Sequence, residues 1–148
     1  MNWTLKSFNE LSVAEFHDFT QLRLDIFVVE QDCVYQDLDG KDKIAYHFFA
    51  KNDQGLTVAY TRLFAPGDYY EEAAIGRVVV HKDFRKERLG LELMSRSIEQ
   101  IELLFQTKNI RIGAQQYLRK FYESLGFIST GYDYMEDGIP HSHMVIKA

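Results

Sequence analysis

The residues best suited to chemistry lie in the stretch "GRVVVHKDFRKERLG", positions 76–90. An apolar run, Val78-Val79-Val80, hands over to a connector carrying His81, Lys82, Arg85, Lys86 and Arg88, and Gly90 follows where a long amphipathic pattern begins. A strand, a tight basic turn and a helix start bring unpaired backbone N–H groups and the positive end of a helix dipole to one place. The chemistry on offer is anion binding. Gly90 lets a ligand approach the backbone, and Arg85, Lys86 or Arg88 supplies countercharge. Neither a Walker loop nor a dinucleotide fingerprint is present, because neither glycine spacing occurs. The same residues also read as a basic turn on a solvated surface.

A second candidate is Tyr122 in "FYESLGF" (121–127). It shares a helical stripe with Leu118, Phe121 and Leu125, so it reads as a core tyrosine or as a phenol protruding into a cleft to donate a proton. Other signals point to no chemistry. "DLDGKD" places its glycine too early for a calcium loop and is expected to be a turn, rimming a pocket with Asp37, Asp39 and Asp42. His141 and His143 share a strand face but lack a third ligand nearby, so no metal is expected. Cys33, the single cysteine, reads as half-buried and structural.

Elements to position these residues are legible along the chain. "WTLKSF" (3–8) reads as a strand. Ser12 and Glu15 form a capping box with Leu11 and Phe16 as a hydrophobic staple, and apolar spacing from Val13 to Val29 predicts a helix to about residue 30. Strands are expected at 44–51, 56–64 and 73–80, and a helix from Arg85 to Lys108-Asn109. A strand at 110–114 and a helix over "QYLRKFYESLGF" stopped by Gly126 come next. A hairpin of 128–135 and 141–147 closes the chain around the turn "EDGIP". The order β, α, β, β, β, α, β, α, β, β predicts an α/β or α+β layer architecture around one mixed sheet.

The chain has 148 residues, 46% hydrophobic and 26% charged, with a formal net charge of −5. That length suits a single domain, 1–148. The acidic balance argues against nucleic acid, and no apolar run approaches the roughly 20 residues that span a bilayer. The N-terminal segment lacks the apolar core of a signal peptide, and one unpaired cysteine suits a reducing compartment. A cytoplasmic location is the expectation.

"FRKERLG" and "FYESLGF", separated by one helix and one strand, resemble the GNAT superfamily of acyl-CoA-dependent N-acetyltransferases. In that family a Q/R-x-x-G-x-G/A loop binds the pyrophosphate of coenzyme A. Arg85 and Gly90 match its ends, while Arg88 stands in place of the middle glycine. "LRLDIFVVEQDCVYQDLDG", "IGRVVV", "IGAQQYLRKFYESLGF" and "DGIPH" resemble the ElaA branch of the superfamily, in order and at similar spacing, from about Trp3 to Met144.

The resemblance implies a largely antiparallel sheet with two strands, 73–80 and 110–114, splayed around the pantetheine arm. It implies acetyl-CoA as co-substrate, held by Val78, Val79, Val80, Arg85, Lys86, Glu87, Arg88, Leu89, Gly90, Leu91, Gln115 and Tyr122. A backbone N–H near Val79 would polarise the thioester, and Tyr122 would protonate the departing thiolate. Glu30 in "FVVEQ" and His141 in "GIPH" are the candidates to deprotonate the attacking amine, a small molecule or a peptide amine. Pairing into homodimers is common in the superfamily. Two other functions stay open: a non-catalytic acyl-CoA-binding or regulatory protein, and an acyl-homoserine lactone synthase, compared through Arg23 and Phe27 but lacking that group's helix tryptophan.

Overall fold

A computed structural model describes residues 1–147; Ala148, the last residue of the expected domain, lies outside them. Seven strands form one sheet in the order β1-β2-β3-β4-β5-β7-β6. They are β1 (Asn2–Ser7), β2 (Tyr46–Lys51), β3 (Thr57–Phe64), β4 (Ala73–Val80), β5 (Ile110–Gln115), β6 (Ile128–Glu136) and β7 (Ile139–Ile146). Every pairing is antiparallel except β4 with β5, which is parallel and extends over only two residue pairs, Ala73↔Ile110 and Ala74↔Arg111. The mixed, largely antiparallel sheet expected from the sequence is present.

Helices cover the two faces unevenly. α1 (Val13–Leu24) lays Phe19 and Leu22 against Phe49, Tyr60 and Val79. On the opposite face α2 (Leu89–Phe105) buries Leu89, Leu93, Met94 and Ile101 among residues of β2, β3 and β5. Strand β3, covered on both sides, is buried along its whole length, the pattern of an inner strand rather than a half-exposed one. The short α3 (Arg119–Glu123) adds Tyr122 to the α2 side.

The capping box forms as read: the Glu15 N–H donates to Ser12 Oγ at 3.0 Å, and the Ser12 N–H donates to the Glu15 carboxylate at 2.8 Å. Three helix expectations need correction. The first helix does not continue regularly to residue 30. Residues Asp25–Glu30 widen into a π turn, with the Gln31 N–H reaching Ile26 O and the Cys33 N–H reaching Val28 O. The extra residue per turn rotates the apolar stripe, so Val29 is 73% exposed. The second helix starts later than Arg85, because Lys82–Glu87 form a 3-10 turn and Arg88 takes a left-handed conformation. It ends at Phe105, where left-handed Gln106 stops it. The third expected helix is reduced to a 3-10 turn and α3 before Gly126 (φ +100) ends it.

The acidic connector between α1 and β2 also departs from expectation. Asp37 and Asp42 do not rim a pocket. They are 3% and 4% exposed and tied to buried arginines from distant elements. Arg23 of α1 reaches Asp37 Oδ2 and Asp42 Oδ1, both at 2.9 Å, and Arg62 of β3 reaches Asp42 Oδ1 at 3.1 Å. Arg62 also holds both Asp39 oxygens, at 2.8 and 3.0 Å. The cause is the arginines themselves: guanidinium groups at 0% and 1% residue exposure must be matched by carboxylates. Only Asp39 remains on the lining of a cavity.

Burial acts to raise the Asp39 carboxyl pKa, but the Arg62 hydrogen bonds and the Lys41 backbone N–H outweigh it and bring the value down to about 2. A depressed folded-state value means stability that is complete above the unfolded value of about 3.9 and is lost as pH falls through about 2. Acid unfolding is therefore expected to steepen between about pH 4 and pH 2. In Asp39→Asn, circular dichroism over that interval should show a flatter dependence from a lower starting stability.

Candidate active site

Because β4 and β5 part after two residue pairs, β4 from Ile75 and β5 from Ile112 face each other without a strand between them. A cavity of about 760 Å³ opens in this gap, lined by Val78, Val79 and Val80 on one side and Ile112, Gly113 and Gln115 on the other. The splayed strand pair expected from the family resemblance is thus present.

The gap has a local cause on β4. Tyr60 lies opposite Val79, but Arg62 lies opposite Gly76, so Thr61 alone faces both Arg77 and Val78. This β-bulge turns backbone groups out of the ladder with β3. Arg77 carries the strain, at φ 48, which costs a non-glycine residue on the order of 1–3 kcal/mol. Its side chain offsets that cost. Arg77 Nε lies 3.0 Å from Asp37 Oδ1, Nη2 donates to the Asp37 carbonyl at 3.0 Å, and the guanidinium covers the Tyr35 ring at 5.4 Å. The buried ion network therefore reaches the cavity wall and fixes the bulge.

At the end of β4 the 3-10 turn and the start of α2 carry the expected anion-binding residues. Arg85 and Gly90 line the cavity. Arg85 Nε donates to Val80 O at 3.4 Å and its Nη2 meets Glu30 Oε2 at 2.6 Å. Lys86, Glu87 and Arg88 are exposed, Leu91 is half-buried, and Leu89 turns its side chain into the core, leaving only its backbone for a ligand. Arg88 (φ 57) adopts the left-handed conformation that glycine reaches without cost. That is the physical reason a glycine suits this position.

Tyr122 is 6% exposed, lines the same cavity, and packs edge-on against Phe121 and Phe127. Burial pushes its phenol well above the ordinary tyrosine range. Among the described residues its hydroxyl has no hydrogen-bond partner, and it opens onto the cavity rather than being sealed in the core. Both readings of this tyrosine hold: the ring belongs to the core and the oxygen belongs to the cavity.

His141 and Glu30 also line the cavity. Glu30 is placed there by the π turn and is paired with Arg85. His141, on β7, donates from Nδ1 to the Ile139 carbonyl at 2.7 Å. That leaves Nε2 as the nitrogen able to take a proton, 3.4 Å from the Glu136 carboxylate. Gln115 reaches Gln31 at 3.5 Å across the cavity mouth. Cys33 Sγ lies 3.4 Å from the Asp137 carbonyl, joining the connector to the β6–β7 turn over the same opening.

Sequence reasoning missed Arg77 altogether, since an arginine in a β-branched run gives no sign of a bulge. It also missed a set of tyrosines on the open face of β5, β7 and β6. For these a signal existed. Tyr132, Tyr134 and Glu136 recur at period two, and Gly113 interrupts a strand, which marks close approach of another group.

A seven-stranded sheet opened between two parallel strands, with a bulge and a helix start at the opening, is the architecture of acyl-CoA N-acyltransferases of the GNAT type. The family "Acetyltransferase (GNAT) domain" matches residues 9–148. Protein ElaA of Escherichia coli K12 is 42% identical over 147 residues, covering 97% of this chain and 95% of that protein. The crystal structure of Escherichia coli ElaA superposes with a TM-score of 0.91 at 38% identity, covering 99% of each chain. An acyl-CoA N-acyltransferase from Pseudomonas aeruginosa also superposes at 0.91, with 36% identity and 99% coverage of each chain. The chain belongs to the GNAT acetyltransferase family, in its ElaA-like branch.

Proposed function

We propose that residues 1–148 form one acyltransferase domain that moves an acetyl group from acetyl-CoA to a primary amine. The observation that carries this reading is the unpaired edge of β4 leading from the arginine turn to a phenol whose hydroxyl opens onto the cavity with no partner among the described residues. The pantetheine arm would lie along Val78–Val80, and the pyrophosphate at the amides of 86–91 with Arg85, Arg88 and Gly90. The Arg85–Glu30 pair does not oppose this. Both side chains are about 40% exposed, and such a pair contributes roughly 0–1 kcal/mol, so a pyrophosphate can take the guanidinium from Glu30.

The amine nitrogen attacks the thioester carbon, a C–N bond forms, and the C–S bond breaks. A backbone N–H of the bulge near Val79 would stabilise the carbonyl oxygen as it gains charge. Tyr122 gives its proton to the departing thiolate, and the proton lost by the amine passes to His141 Nε2, with Glu136 beside it to steady the imidazolium. His141 is preferred to Glu30 as the base because its free nitrogen is not engaged by a cation. The products are an amide and free coenzyme A. A cytoplasmic setting agrees with this chemistry.

Calorimetric titration with acetyl-CoA, desulfo-CoA and dephospho-CoA tests the reading. Micromolar binding of acetyl-CoA should weaken at least tenfold, about 1.4 kcal/mol, in an Arg85→Ala, Arg88→Ala double variant. Gly90 gives a sharper companion. A Cβ at this position would lie 3.8 Å from Phe121 and 3.9 Å from Val80, ordinary contact distances, and alanine favours a helix by up to about 1 kcal/mol over glycine. Gly90→Ala should therefore melt at the same or a higher temperature while binding acetyl-CoA less tightly. No binding by folded wild-type protein would sink the proposal.

A further inference from the structure

The rim expected at Asp37, Asp39 and Asp42 is taken up by arginines, which leaves the acceptor side of the cleft unassigned. A second cavity, about 530 Å³, adjoins the first and shares Tyr69 and Glu136 with it. It lies on the face of β5, β7 and β6 that presents Gly113, His141, His143, Tyr132 and Tyr134, opposite the face where Ile112, Ala114 and Met144 enter the core with α2.

Its walls are rings. The Tyr132 and Tyr134 rings lie 5.0 and 5.1 Å from the His143 ring, and the Tyr70 ring, from the loop before β4, lies 5.2 Å from it. The Tyr70 and Tyr134 hydroxyls converge over Gly113, where any side chain would collide with Tyr134. Gly113 itself lines the first cavity. Two phenol oxygens and the Glu136 carboxylate thus stand at or beside the passage between the cavities.

The electrostatics select the occupant. Arg111 is the cation among the residues lining the second cavity, and it is held bidentately by Glu72 at 2.9 and 3.0 Å while a third nitrogen donates to His143 Nδ1 at 3.2 Å. Burial and Arg111 lower the His143 pKa, so its ring is neutral at neutral pH. Lys41 is already seated over one ring, Tyr69, at 5.6 Å. The negative charge at the passage is Glu136, which no arginine or lysine holds among the described residues and which stands 3.4 Å from His141 Nε2, and tyrosine faces attract cations by about 0.5–1 kcal/mol each at exposed sites.

Resting on the acyltransferase reading above, we infer that this tyrosine-lined trough is the acceptor subsite and takes a primary ammonium carried on an aromatic body. The ammonium lies among Glu136 and the Tyr70 and Tyr134 hydroxyls, and the aromatic body lies against Tyr132 and His143. Seated so, the nitrogen faces the first cavity, where His141 can take its proton.

The test uses 2-phenylethylamine as acceptor, with putrescine and glycine as amines lacking the aromatic body, and free thiol release as the readout. 2-Phenylethylamine should show at least a tenfold higher kcat/KM than either. Tyr132→Ser and Glu136→Gln, both at exposed positions, should each raise its KM at least tenfold and leave acetyl-CoA affinity unchanged, while Tyr132→Phe restores the wild-type KM. Calorimetry of the protein with 2-phenylethylamine alone reads the trough independently of transfer. If acetyl-CoA fails to bind but this amine binds and Tyr132→Ser abolishes it, the acyltransferase reading fails and the amine site stands. The inference is overturned if 2-phenylethylamine does not bind, if both variants keep the wild-type KM, or if putrescine or glycine reacts equally well. It is also overturned if sedimentation shows Tyr132→Ser breaking a dimer with no effect on the amine.

Discussion

Tyr122→Phe is expected to lower turnover about a hundredfold, within the range for loss of a positioned general acid, while acetyl-CoA affinity stays within about twofold of wild type. The ring supplies the packing against Phe121 and Phe127, and phenylalanine preserves it. The oxygen makes no hydrogen bond among the described residues, so its removal leaves no donor or acceptor stranded. The hydroxyl opens onto the cavity rather than into the core, so phenylalanine neither strands nor relieves a buried polar group. The melting temperature should therefore hold. This split between activity and stability separates an acid from a core tyrosine. Burial keeps the phenol protonated well beyond neutral pH, so its ionisation should not limit the rate between pH 6 and 9. Steady-state rates on an amine substrate, with calorimetry and thermal melts on the same samples, check all of this. Equal turnover in the variant would leave the thiolate departing unassisted and remove Tyr122 from the chemistry. A wild type that binds acetyl-CoA but turns over no amine would favour the non-catalytic alternative.

Features written in local sequence were legible. The Ser12–Glu15 box, the αL stop at Gly126 and the glycine turn at Asp137-Gly138 each depend on residues within five positions of one another, and each formed as read. The element order and the splayed strand pair followed, the latter through family resemblance rather than from any property of the strands. What could not be read depends on residues far apart in the chain. Arg23 meets Asp42 across 19 positions, Arg62 meets Asp39 across 23, and Arg77 meets Asp37 across 40. From sequence alone these acids look like a solvated turn, because a carboxylate is read by its neighbours and not by the arginine it will meet. The bulge at Arg77 is illegible for the same reason, since its strain is tolerated only because Asp37 and Tyr35 hold the side chain. Arg23, the residue through which the lactone-synthase comparison was drawn, is 0% exposed and committed to Asp37 and Asp42, partners 14 and 19 positions away.

Asp42→Ala is expected to destabilise the protein by about 3–5 kcal/mol, the range for breaking a buried pair by removing one partner. Asp42 Oδ1 accepts from Nη1 of both Arg23 and Arg62, at 2.9 and 3.1 Å, and the two guanidiniums are 0% and 2% exposed. Without the carboxylate they face each other with only Asp37 and Asp39 as countercharge, in a site that water does not reach. Measured against a total of about 5–15 kcal/mol for a domain, that loss is severe. Asp42→Asn keeps one acceptor oxygen for the two guanidiniums, so it should cost less. The milder variant carries the functional test. Cys33, Tyr35, Gln36 and Asp39 line one wall of the cavity, and Asp37 between them anchors Arg77, so loosening this segment should relax the bulge and raise KM for acetyl-CoA even where Asp42→Asn remains folded. Urea titration gives the stability and initial rates give KM. A stable Asp42→Ala with unchanged kinetics would mean that the network neither holds the connector nor sets the shape of the cleft.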